Sequence, residues 1–77
     1  MSNVRQINAW FRNVTKDDIN SLLEKIVLSD RQLEVFEMFY IKRKNIGFIA
    51  DTICFSQRVI SKELEEIRHK ISAIIKH

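Results

Sequence analysis

Apolar residues recur at three- and four-residue intervals along most of the chain, the spacing of helices that bury one face. Val4, Ile7, Phe11 and Val14 form a first stripe with Trp10 beside it, and predict a short amphipathic helix. Thr15 followed by Asp18 has the form of a capping box, and Asp17 and Asp18 stand where a helix N-terminus favours negative charge. A second helix is therefore expected to run to about Val27, burying Ile19, Leu22, Leu23 and Ile26. Ser29 followed by Gln32, with Asp30 between them, repeats the capping pattern.

From Asp30 to about Lys42, the apolar residues Leu33, Val35, Phe36, Met38, Phe39 and Tyr40 leave only a narrow polar strip of Asp30, Glu34 and Glu37. A helix this apolar is expected to be central and covered on more than one side. Val35 to Ile41 is rich in β-favouring side chains, but the spacing of the acids and the preceding cap favour a helix. Asn45 is an N-cap for a short helix that places Ile46, Ile49, Ala50 and Ile53 on one face. Cys54, Phe55 and Ser56 then interrupt the pattern, and Ser56 caps a last helix. In that helix Ile60, Leu64, Ile67, Ile71 and Ile74 alternate spacings of four and three, a stripe over about five turns.

Composition agrees with helices throughout. One glycine and no proline in 77 residues leave no turn punctuation for a sandwich or barrel of short strands. The expected fold is all-α, a small domain of four to five helices with a helix-turn-helix and a long C-terminal helix. Residues 1–27 are read as N-terminal helices for core support or partner contact, and 28–77 as the helix-turn-helix region of one compact domain. A lone cysteine, Cys54, excludes an internal disulfide and fits a reducing cytoplasm. No stretch has the apolar length of a signal peptide core or a membrane span, so no membrane partner is expected.

The net charge of +3 is unevenly distributed. Residues 42–62 hold five basic residues (Lys42, Arg43, Lys44, Arg58 and Lys62) against one acid, Asp51, while the segments on either side are close to neutral. Such an asymmetry points to a polyanionic partner. It coincides with a short helix, a three-residue turn and a longer helix, the outline of a helix-turn-helix whose second helix enters the DNA major groove. Ala50 is small where the two helices must approach, and Ile53 and Ile60 bracket the turn. Gln57, Arg58, Ser61 and Lys62 share one helical face, and their side chains suit guanine, adenine and adaptable base-edge contacts. Lys42, Arg43 and Lys44 precede the unit where a loop can hold phosphates.

The run Leu28-Ser29-Asp30-Arg31-Gln32, then Glu34-Val35-Phe36, Ile49-Ala50, Ile53-Cys54-Phe55-Ser56 and Ile60 resembles the DNA-binding region four of RNA polymerase sigma factors. It is also similar to the LuxR-type output domain, although the uninterrupted last helix leans toward the sigma side. The likeness covers about residues 28–71. It implies that Ser56 is the N-cap of the recognition helix, that Gln57, Arg58, Ser61 and Lys62 face bases, and that Ile49, Ala50, Ile53 and Ile60 are structural. The sequence departs from the pattern in three respects. Cys54 stands where the turn usually has glycine, so the backbone there either avoids a left-handed conformation or tolerates strain. Phe48 replaces a usual glutamate on the outer face of the short helix, and Glu63, Glu65 and Glu66 follow the reading face closely.

The expected function is that of a cytoplasmic, sequence-specific transcription regulator of bacterial or phage type. It would bind double-stranded DNA and act as a homodimer or with RNA polymerase. The alternative is a sigma-like module that binds polymerase, a sigma factor or another regulator without touching DNA, for which Phe48 and the acids from Glu63 to Glu66 speak. Trp10 and Phe11 in the N-terminal helix, Phe48, and Ile74 and Ile75 at the end of the apolar stripe are the residues expected to meet a protein partner. His69 and His77 lack ligand-spaced acids or thiols, and no nucleophile, base and oxyanion donor can be assembled. No metal, cofactor or enzymatic activity is expected.

Overall fold

A computed structural model describes residues 4–75. These form five α-helices and no strand: α1 Val4–Arg12, α2 Lys16–Lys25, α3 Asp30–Phe36, α4 Ile46–Ile53 and α5 Gln57–Ile75. The small all-α fold is thus as the spacing predicts, and its helix starts are built from the expected caps. Thr15 Oγ1 accepts from Asp18 N at 3.1 Å while Asp18 Oδ2 accepts from Thr15 N at 3.2 Å. Ser29 and Gln32 repeat the arrangement at 3.2 and 3.4 Å. Asn45 Oδ1 accepts from Phe48 N at 2.8 Å and Ser56 Oγ from Val59 N at 3.2 Å. Each satisfies a backbone donor that the first helical turn leaves without a partner.

The chain separates into two compact units. The terminal unit takes residues up to Val27 and those from Arg68 onward; the central unit is Leu28–Ile67. Helix α5 therefore has residues in both units. Its stripe supplies Ile60, Leu64 and Ile67 to the core of the central unit and Ile71 to that of the terminal unit, all four fully buried.

In the terminal unit, Ile7 and Phe11 of α1, Leu22 of α2, and Ile26 are buried with Ile71. Helix α1 stops at Arg12, so Val14, expected to continue its stripe, lies half-buried in the connection to α2. After α2, Lys70 Nζ donates to the carbonyl of Val27 at 2.6 Å. A cation thus sits on a backbone acceptor just past the helix end.

The central unit departs from expectation where α3 ends. The helix predicted to run regularly to about Lys42 widens into a π-helical turn at Glu37–Ile41, closed by Lys42 N to Glu37 O at 2.9 Å. Each residue of a π turn advances by less than the ~100° of an α-helix, which swings Tyr40 toward the face occupied by Phe36. The two rings lie 5.5 Å apart and both are buried, with Phe39 edge-on to Tyr40 at 5.0 Å. The apolar excess of this segment is therefore divided. Val35, Phe36, Met38 and Tyr40 enter the core, while Leu33 and Ile41 stay exposed. Arg43, at φ 60°, turns the chain out of the π segment, and Lys44 N donates back to Met38 O at 2.8 Å.

Candidate nucleic-acid interface

Helix α4, the turn Cys54-Phe55-Ser56 and the opening of α5 form the helix-turn-helix outline. Ile49 and Ala50 of α4 are buried, so the small side chain at position 50 stands where the unit is closely packed. Cys54 adopts φ 62°, ψ 41°, the left-handed conformation that glycine ordinarily supplies at a helix C-terminus. Of the two possibilities open from sequence, the backbone takes the strained one. The N–H groups of Cys54 and Phe55 both donate to Ala50 O, the latter at 3.0 Å, which ends α4 in a Schellman-type closure.

Gln57, Arg58, Ser61 and Lys62 are all exposed, and Ile60 and Leu64 between and beyond them are fully buried. The four polar side chains thus line the outer face of the first turns of α5. Gln57 also leans toward α4. A Cβ added at Gly47 would meet Gln57 Nε2 at 3.5 Å and Asn45 Oδ1 at 3.4 Å, both ordinary contacts, so that amide lies beside the first turn of α4. Ser56 holds the N-cap and its hydroxyl is committed to Val59 N.

Lys42, Arg43 and Lys44 are exposed in the connection between the π turn and α4. Lys44 Nζ stands 5.1 Å from the centre of the Phe48 ring, a cation–π pair on a side chain that is 48% exposed. On the other side of the turn, the Arg31 guanidinium lies 4.3 Å over the Phe55 ring. Each of these aromatic rings carries a cation at its face.

The acids that follow this exposed face are engaged by α3. Arg31 Nη1 donates to Glu63 Oε2 at 3.1 Å in an ion pair. Gln32, only 5% exposed, donates through Nε2 to Glu63 Oε1 at 3.0 Å and Glu66 Oε1 at 2.8 Å, while its Oε1 accepts from Ser29 N. Two of the three carboxylates are therefore drawn to α3 and their charge is shared with donors there. Glu65 is exposed. In the sequence Gln32 has only a capping role and Arg31 none, and the signal it offers is an adjacent guanidinium and amide in a chain with three clustered acids further on.

The residues expected at a protein interface fall in different places. Phe11 is 4% exposed, edge-on to Trp10 at 4.8 Å, and is a core residue with little surface left to offer. Trp10, Ile74 and Ile75 are half-buried and line one groove of the terminal unit. Phe48 belongs to the central unit. No described helix is long and apolar enough to cross a membrane. No protein-family model, curated protein or solved structure matches the chain.

Proposed function

We propose that this chain is a sequence-specific, double-stranded-DNA-binding regulator of transcription of bacterial or phage type. In this reading α5 enters the major groove from Gln57 and the protein works in the cytoplasm as a dimer or alongside RNA polymerase. The observation that carries the proposal is the exposed set Gln57, Arg58, Ser61 and Lys62 on the first turns of the helix after a three-residue turn. These side chains offer donors for guanine O6 and N7 and an amide for adenine, and the cations at 42–44 suit phosphate oxygens. Withdrawal of Glu63 and Glu66 toward α3 removes much of the repulsion those acids would otherwise exert on a duplex.

The test is a titration of the protein with a labelled random-sequence duplex pool at low and raised salt, followed by selection for bound sequences. Binding that weakens steeply with salt, enrichment of a defined site, and loss of both in Arg58→Ala with Lys62→Ala are expected. Absence of binding at low salt overturns the reading.

Exposure of Phe48 favours a second reading, a sigma-like module that grips polymerase, a sigma factor or another regulator through protein contacts alone. That reading gains if Phe48→Ala abolishes capture of purified polymerase while Arg58→Ala with Lys62→Ala leaves it intact.

A further inference from the structure

The terminal unit carries a groove of about 310 Å³ whose use is not explained by the helix-turn-helix. One wall is a single stripe of α2, Asp18, Ser21, Leu22 and Lys25, at positions i, i+3, i+4 and i+7. The remaining lining is apolar: Trp10 from α1, and Ile74 and Ile75 from the end of α5. Leu22 is buried and forms part of the floor; Trp10, Ile74 and Ile75 keep part of their surface open.

The stripe has an arrangement that limits what can cover it. Its two ends have opposite charge, separated by seven residues or ~10 Å along the helix axis, and its centre falls between Ser21 and Leu22. Neither Asp18 nor Lys25 takes part in an ion pair among the described residues. Turned about a two-fold axis through that centre, the stripe is complementary to itself. Asp18 of one chain then faces Lys25 of the other, twice, and the small Ser21 side chains allow the helices to approach over the apolar floor. A segment of uniform charge would satisfy one end and be repelled by the other.

We infer that a second copy of this chain covers the groove, with the two α2 helices antiparallel and Asp18 paired with Lys25 across the two-fold axis. This deepens the dimeric form of the proposed function by naming its surface, and it does not depend on whether residues 57–62 touch DNA.

The experiment is sedimentation equilibrium without DNA, between about 1 µM and about 1 mM protein. The wild type is expected to move from monomer to dimer over this range. Asp18→Lys and Lys25→Glu each place like charges opposite one another at two positions and raise the dissociation constant about tenfold or more. Mixed in equal amounts, these two variants restore both pairs and form a heterodimer more readily than either associates with itself. Circular dichroism of each variant checks that it is folded. A wild type that stays monomeric throughout, or charge reversals that leave its association unchanged, or a mixture of folded variants that fails to associate, overturns the inference. Because mass is read without DNA, failure here leaves the DNA titration as a separate result.

Discussion

The side-chain amide of Gln32 donates to Glu66 at 2.8 Å across 34 residues of sequence, and the same nitrogen reaches Glu63 at 3.0 Å. A single neutral, buried side chain thus ties the start of α3 to two turns of α5. Gln32→Ala removes both bonds and half of the Ser29 capping box, and is expected to lower stability by about 1–3 kcal/mol. Gln32→Glu places a third carboxylate beside two others and is expected to cost more. Urea denaturation followed by circular dichroism measures both. A change below about 0.5 kcal/mol for the alanine variant shows that the network contributes little.

Cys54 holds a left-handed conformation with a Cβ present. Cys54→Gly relieves that crowding and is expected to raise stability by about 1 kcal/mol, net of the flexibility glycine adds to the unfolded chain. Cys54→Val, branched at Cβ, is expected to lower it. Opposite shifts of the thermal midpoint confirm the assignment; shifts in the same direction contradict it.

The acids after the exposed face at residues 57–62 are expected to separate by function. Glu65→Gln removes an exposed negative charge near the proposed duplex and is expected to strengthen DNA binding roughly threefold at low salt, an effect that fades as salt rises. Glu63→Gln instead gives up the Arg31 ion pair, which is partly exposed, and is expected to cost about 1 kcal/mol of stability. Paired binding and denaturation measurements on the two variants distinguish these outcomes.

Gly47 lies in the first turn of α4, where an added Cβ makes only ordinary contacts. Gly47→Ala is therefore expected to stabilise the protein by about 0.5–1 kcal/mol, through a lower-entropy unfolded chain and a better helix former. Urea denaturation measures the gain, and a midpoint that falls contradicts the ordinary contacts at position 47.

Caps and stripes were legible in the sequence because they depend on residues three or four apart. Thr15 with Asp18, Ser29 with Gln32, and the series from Ile60 to Ile71 could be placed without tertiary information. The exposed face at Gln57, Arg58, Ser61 and Lys62 followed by the same rule, from its displacement around the helix from the buried stripe of Ile60, Leu64 and Ile67. What escaped depends on tertiary packing. The π turn at Glu37–Ile41 accompanies the joint burial of Phe36 and Tyr40, and a four-residue spacing does not distinguish it from a regular α-turn. The grip of Arg31 and Gln32 on Glu63 and Glu66 crosses more than 30 residues. Phe11 and Trp10, adjacent and both aromatic, differ in burial because one side of α1 faces its unit's core and the other looks outward.

The widened turn at Glu37–Ile41 also means that this stretch of helix carries one residue more than an α-turn needs for the same closure. Chain length and spatial path are partly decoupled there. Removing Phe39, the half-buried member of the segment, would let the remaining residues close as an ordinary α-turn and deliver the basic connection at 42–44 to nearly the same point. A shortening by one residue, which elsewhere in these helices would rotate every later side chain off its face, can be absorbed at this place. Length variation between forms of this protein is therefore expected to gather at the end of α3 rather than in α4 or α5.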